Sequence, residues 1–380
     1  MRLTRKLKLL VSLLMALVVI MILLLLAVIS QNKDIEEIPV ETADAIGVED
    51  SSGDGADAAA EETGDSEPED QSVEMIFAGD IYPDEDVLAA YDASGIDGIL
   101  SEEFQSIMNQ ADITIVNEEF PFGTTGTAET DKQYTFRVDP SYITMFQEMG
   151  IDGVTLANNH TLDYGDQAIE ETFALLDSVD IKYTGAGDTI DRSKELIIYE
   201  VNGKTIGFLA ASRVIPKASW NVENHQPGVF CTYDETALCQ AIEEAEEVCD
   251  FTVVYVHWGV ERATTPEDYE RTLAQAYVDA GADLVIGSHP HVLQGFEYYN
   301  GVPIIYSMGN YIFHDTISST MLIRAVIDEE DQLTVQVIPG YASGAKTQEM
   351  SEEDGAALYE YLEGISYDVS LDEDGIWEEP

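Results

Sequence analysis

The sequence predicts an α/β domain, and three observations carry that expectation. Short apolar runs of strand length alternate with stretches whose apolar residues recur at helical spacing. Most of these runs end in Asp, Asn or His rather than in neutral turn residues. Two Asn-Gly pairs, Asn202-Gly203 and Asn300-Gly301, stand between such runs and mark tight hairpins. With 380 residues, 45% of them hydrophobic, the chain has material for one large domain or two ordinary ones.

The elements follow in order. Glu74 to Ala78 reads as a strand ending in Gly79-Asp80, Ile113 to Val116 as one ending at Asn117, and Val154 to Ala157 as one ending at Asn158-Asn159-His160. Asp166 to Val179 is an amphipathic helix, with Ile169, Phe173, Leu176 and Val179 on one face. Leu196 to Val201 and Thr205 to Ala211 flank the first Asn-Gly turn. A helix over Glu235 to Val248 leads into the strand Phe251 to Val256, which ends at His257. A second helix, Glu267 to Ala280, is closed by Gly281 and leads to Leu284 to Gly287 and then Ser288-His289-Pro290-His291. Phe296 to Tyr299 and Val302 to Ser307 form the second hairpin, and Met321 to Ile327 with Leu333 to Ile338 complete a sheet.

Charge divides the chain further. There are 17 basic and 74 acidic residues, a net −57, which repels a phosphate backbone and argues against any nucleic-acid role. Fifteen acids and one base, Lys33, fall in residues 31–72; twelve acids and no base fall in 347–380. Leu9 to Ile29 is an apolar run preceded by Arg2, Arg5, Lys6 and Lys8. Its length suits a membrane-spanning helix of roughly 20 residues. Bases before it and acids after it put the N-terminus in the cytoplasm and the rest outside; a cleaved signal peptide is the alternative. The expected organisation is thus 1–30 basic tip and transmembrane anchor, 31–72 disordered acidic linker, 73–346 folded domain, and 347–380 acidic extension. Cys231, Cys239 and Cys249 lack the paired spacing of a zinc site and read as small core residues, with a Cys231–Cys239 bridge as the alternative.

Four of the six histidines, His160, His257, His289 and His291, follow predicted buried strands directly. Open α/β sheets place their sites at the carboxyl ends of strands. Asp80 and the Asn117-Glu118-Glu119 cluster occupy equivalent positions. Five strands therefore deliver carboxylates, amides and imidazoles to one edge. That donor mix suits Zn, Mn or Fe rather than Ca, and so implies a divalent metal ion, one or two per site.

Several stretches carry a resemblance: Phe77-Ala78-Gly79-Asp80, Val116-Asn117-Glu118-Glu119-Phe120-Pro121, the run from Leu156 to Gly165, His257-Trp258-Gly259-Val260-Glu261, the run from Gly287 to Gly295, and Ser307-Met308-Gly309-Asn310-Tyr311. Together they resemble the successive motifs of CapA-type bacterial capsule-synthesis proteins, a family linked to poly-γ-glutamate production and related to calcineurin-like metallophosphoesterases. The resemblance implies a metallophosphatase-like four-layer α/β/β/α sandwich outside the cell membrane. It implies metal ligands at Asp80, Asn117, Glu119, Asn159, His257, His289 and His291, with His160 as general acid and Asp80 at the reacting centre. It also implies partners: an anionic envelope polymer or its precursor, and membrane-embedded polymer synthase subunits. Two positions depart from the related phosphoesterases, which carry His where this chain has Tyr82 and a bridging Asp where it has Asn117. Loss of that His favours a non-catalytic accessory role in polymer synthesis or export; retention of His160, His289 and His291 favours a metal-dependent hydrolase of a phosphoester or amide. Arg213, Lys217 and Arg262 lie in loops that offer a basic rim.

Overall fold

A computed structural model describes residues 71–378; the expected anchor at 9–29 and all but the last two residues of the expected linker at 31–72 lie outside it. Two sheets form the centre. The first has eight strands: β1 (Val73–Ile81), β2 (Ile113–Glu118), β3 (Gly153–Thr155), β4 (Lys182–Thr184), and, later in the chain, β11 (Asn310–Ile312), β12 (Thr316–Ile327), β13 (Leu333–Ser343) and β14 (Lys346–Glu349). Its order is β14-β13-β12-β1-β2-β3-β4, with β11 pairing alongside the end of β1. The second has six, in the order β9-β10-β8-β7-β6-β5: β5 (Ile197–Val201), β6 (Lys204–Ser212), β7 (Phe251–His257), β8 (Leu284–Ser288), β9 (Phe296–Tyr299) and β10 (Val302–Ile305).

Alternation along the strands decides what lies between what. Met75 and Phe77 of β1 pack with Val253 and Tyr255 of β7 and with Leu284 and Ile286 of β8 in one core between the sheets. Ile76 and Ala78 face the other way, onto α1 (Glu85–Ser94), α2 (Glu102–Gln110) and α3 (Asp166–Ser178) through Val87, Phe104, Met108, Ile169 and Phe173. Val254, Val256 and Val285 face α4 (Thr236–Glu246) and α5 (Asp268–Asp279) through Leu238, Ile242, Leu273 and Tyr277. The result is four layers, α/β/β/α. Each fully buried Leu, Ile or Phe in these cores contributes roughly 1.5–3 kcal/mol.

The domain does not stop at 346. That position begins β14, which pairs with β13, and α6 (Glu352–Ile365) follows. Leu358, Leu362, Val369 and Trp377 join the core between the sheets, and Trp377 lies 4.4 Å from Phe296. The acids of this segment surround an apolar stripe whose Leu358 and Leu362 are four apart, one helical turn, which the charge count masks. Cys231, Cys239 and Cys249 are free thiols. Among the described residues, no helix is long and apolar enough to cross a membrane.

Candidate metal centre

The parallel strands of both sheets end at one place. In register, Asp80 pairs with Asn117 on β2 and with Asn310 on β11, while His257 on β7 pairs with Ser288 on β8 and with Ser212 on β6. The Tyr255 hydroxyl donates to the Ala78 carbonyl at 2.9 Å and ties the two sheets together just beneath these ends. Two glycines permit the close approach. A Cβ on Gly79 would lie 2.0 Å from the Gly309 carbonyl oxygen, and one on Gly287 would lie 2.0 Å from that of Tyr306. His289 and His291 hold φ of 100° and 58°, a left-handed backbone that non-glycine residues adopt at a cost of roughly 1–3 kcal/mol each.

Every histidine and carboxylate expected at the site is there. Glu119, His289 and His291 each bring a ligand atom to one group within 4.8 Å of one another. Glu119 lies 3.5 Å from His257 Nε2 and 3.7 Å from His291 Nδ1. Asp80 lies 3.4 Å from His291 Nδ1 and accepts from the His289 amide at 3.3 Å. His257 sits between Ser288 Oγ at 2.9 Å and Asn159 Oδ1 at 2.8 Å. Asn117 behaves differently from the ligand role expected of it. Its amide donates to Asp80 at 2.8 Å, and its oxygen accepts from Thr155 and Asn158 at 3.0 and 3.2 Å. It braces Asp80, because its lone pairs are already taken.

The electrostatics are those of a pocket short of a cation. Both oxygens of Glu119 and Nδ1 of His289 are buried with no hydrogen-bond partner; leaving such groups unpaired costs about 1–3 kcal/mol each, more for a charge. Burial, with Asp80 adding to it, drives the Glu119 carboxyl well above the usual range. Burial, then the neighbouring histidines, drives His257 well below its ordinary value and His289 down to about 3. His291 goes the other way: burial opposes its charge, but Glu119, Asp80 and Asn310 outweigh that and raise it to about 10. The protonated His291 ring faces Asp80 at 3.4 Å and Glu119 at 3.7 Å. These donors fit a divalent transition metal: imidazole and carboxylate converge from two strand ends, and Glu119 and His289 have donor atoms to spare.

Sequence reasoning gave no role to several residues around His160. Its Nδ1 lies 2.5 Å from Asp163 Oδ2, and Lys132 binds both Asp163 and, at 2.6 Å, the Asn159 carbonyl. Phe136 stacks on the His160 ring at 3.9 Å and 13°, and its backbone N–H donates to Asp163 at 2.7 Å. Burial, helped by Lys132 and His291 and opposed by Asp163, lowers the His160 pKa. Asp163 stands three residues after His160, a spacing visible in the sequence; Lys132 and Phe136 arrive on a distant loop that carries no such signal. Of the expected basic rim, Lys217 pairs with Glu129, Arg213 lies over the Tyr233 ring at 4.1 Å, and the Arg262 backbone N–H donates to the Pro290 carbonyl at 2.8 Å.

The sequence profile described as "Bacterial capsule synthesis protein PGA_cap" matches residues 74–315, the stretch that contains all of these side chains. The chain belongs to that capsule-synthesis family. Among relatives, the "PGA biosynthesis protein CapA" of Bacillus subtilis is 33% identical over 246 residues, 64% of each chain, so the match spans just under two thirds of that relative's length. The "Capsule biosynthesis protein CapA" of Bacillus anthracis is 31% identical over 284 residues, 71% of this chain and 68% of its own. Among solved structures, a phosphatase from Mycoplasma pneumoniae overlays on 72% of this chain and 94% of its own, at 14% identity and a TM-score of 0.47.

Proposed function

We propose that this family member takes part in making or exporting an anionic envelope polymer of the poly-γ-glutamate kind, through a metallophosphoesterase-like metal centre in a domain held outside the membrane by residues 9–29. One observation carries the metal part: both oxygens of Glu119 and Nδ1 of His289 are buried without a hydrogen-bond partner, and the two side chains stand with His291 within reach of a single ion. The family match and the two capsule relatives support the polymer part, and synthase subunits in the membrane are the partners this role requires.

Glu119, His289 and His291 hold the ion, with Asp80, His257 and Asn159 beside them; Asn117 keeps Asp80 in place. A bound divalent ion supplies Lewis acidity and a water acidified toward neutral pH. His160 keeps Nδ1 on Asp163, which leaves Nε2 free to move a proton at the substrate. Phe136 fixes the plane of that ring. A hydrolase of a phosphoester or amide is the second reading, favoured by this buried His160–Asp163 pair.

The test is genetic and chemical together. Cells lacking the chain receive the parent or His289→Ala/His291→Ala, and surface polymer is measured. The parent restores it and the variant leaves it at least about tenfold lower. Equal polymer from both would separate the capsule role from the metal centre.

A further inference from the structure

Building on the polymer reading above, we infer that Arg213 anchors an oxyanion of the substrate, a carboxylate or a phosphate, at the rim of the metal centre. A chain of net −57 repels a polyanion, so one that binds must meet local cations. Of the twelve bases from Lys132 to Lys346, seven are engaged in ion pairs with the protein's own carboxylates. Arg137, Lys182, Arg213, Arg262 and Lys346 are the five that are not. Of these, Arg137 Nη1 and Lys182 Nζ donate to the carbonyls of Thr125 and Ile198, at 2.9 and 2.5 Å.

Arg213 differs from all of them in being held while its donors stay unused. Its guanidinium carbon lies 4.1 Å from the centre of the Tyr233 ring and 5.2 Å from that of Tyr269. Among the described residues its side chain makes no hydrogen bond or ion pair. A planar cation fixed by rings keeps an edge of N–H donors open, the geometry that takes a carboxylate or phosphate two-pronged. Arg262 and Lys346 also have free donors, but no ring or carbonyl fixes either side chain, so ordering them costs more entropy. The slot is built on the turn that carries His257. Ser212, at the end of β6, pairs with His257 in register, and the Arg213 N–H donates to the His257 carbonyl at 2.8 Å. Two residues on, the Gly259 N–H donates to the Tyr269 hydroxyl at 2.8 Å. On the other side, the Ile215 N–H donates to the Tyr233 hydroxyl at 3.3 Å. Both rings are thus tied to backbone within two residues of Arg213 or His257.

Two fluorescein-labelled probes test this, a γ-linked glutamate oligomer and a linear glycerol phosphate oligomer. Their binding to Zn(II)-loaded, full-length chain in detergent micelles is measured by anisotropy. Whichever probe binds the parent more tightly identifies the oxyanion as carboxylate or phosphate. Arg213→Gln should weaken that probe by about tenfold or more. Arg213→Lys should weaken it by a smaller factor, because it keeps the charge and loses the fork. Lys182→Gln removes the same unit of charge from an unpaired base at the start of β4, and should bind within about twofold of the parent. Arg213→Gln binding like the parent would overturn the inference. So would an equal loss in Lys182→Gln, because the effect would then be one of net charge. A parent that binds neither probe would instead overturn the polymer reading on which this rests. Should Arg213→Gln fail to fold, phenylglyoxal modification of the parent, read by mass spectrometry, decides. The tighter probe slows modification of Arg213 several-fold if the anion sits on it, and an unchanged rate refutes that.

Discussion

Two buried glutamates of this domain teach opposite lessons. Glu297 on β9 is 5% exposed and fully engaged. Arg271 grips it with two bonds of 2.9 Å, the Tyr306 hydroxyl donates at 2.7 Å and Gln275 at 3.1 Å. Burial pushes its pKa up, but those donors outweigh burial and leave it lowered. Glu119 is fully buried too, but neither of its oxygens has a hydrogen-bond partner, and burial with Asp80 raises it. Both sit next to the end of a strand, and both carry the same side chain. One carboxylate is satisfied by the protein, so its role is architectural. The other faces His257 and His291 at 3.5 and 3.7 Å with no hydrogen bond to either oxygen, and so has capacity left for a cation. An unpaired buried acid must take a proton or gain a cation; Glu118 is buried without hydrogen-bond partners as well, and what sets Glu119 apart is its place within reach of His289 and His291.

The sharpest way to break that contrast is to remove the cation. With metal at about 100 times its dissociation constant, binding stabilises the fold by about 2.7 kcal/mol. Chelation should therefore lower the melting temperature of the parent by several degrees and leave His289→Ala/His291→Ala unmoved. A parent that melts identically with and without chelator would place Glu119 in the same class as Glu297. The next effect belongs to the other glutamate. Arg271→Met strips its cation while the carboxylate stays buried. Such losses reach roughly 3–5 kcal/mol for fully buried pairs, but the Arg271 side chain is 37% exposed, so about 2 kcal/mol is expected. That loss should be the same in chelator and in metal; a chelator-dependent loss would mean that the two regions are coupled.

How much of this was legible beforehand follows the same division. The strand ends that carry Asp80, Glu119, His257, His289 and His291 were readable, because a buried apolar run that stops at a titratable residue is a local pattern. So were both Asn-Gly hairpins and the long helices, each within a few residues. Helices α1 and α2 went unread; many of their residues are acidic or polar, and they are held mainly by Val87, Phe104 and Met108. Lys132 and Phe136 went unread because their meaning depends on where a loop lands, 28 and 24 residues before His160. The bracing role of Asn117 was not legible for a related reason: its place at a strand end was visible, but the Thr155 and Asn158 donors to its oxygen come from another strand end.

A third test sharpens the contrast by making one substitution in both places. Glu119→Gln swaps a buried carboxyl, whose pKa burial raises well above the usual range, for an amide of the same shape. Its metal-free stability should change by less than about 1 kcal/mol, while the stabilisation by metal disappears. Glu297→Gln should be the reverse, destabilised at every metal concentration because Arg271 loses its anion. Melting curves of both variants in chelator and in excess Zn(II) give the four numbers. If Glu119→Gln still gains stability from metal, the ion is not held by that carboxylate.

The smallest effect concerns a third buried glutamate that lies between these extremes. Glu270 on α5 has one oxygen accepting the Glu267 N–H at 2.7 Å, and the other has no partner. Burial, less the help of that N–H, raises its pKa from 4.5 to about 7. A raised acid binds its proton more tightly folded than unfolded. Its contribution to stability is therefore complete below pH 4.5 and is lost as pH rises through about 7. Glu270→Gln keeps an acceptor for Glu267 and removes the titration. Relative to the parent, the variant should gain stability steadily between pH 5 and pH 7, by about 1 kcal/mol per unit against a ceiling of about 1.4. Denaturant unfolding of both proteins in chelator, at pH 5, 6, 7 and 8, measures that difference free of the metal centre. A constant offset across the series would show that Glu270 is ionised in the folded protein throughout, and that one hydrogen bond is enough to keep a buried carboxylate charged here.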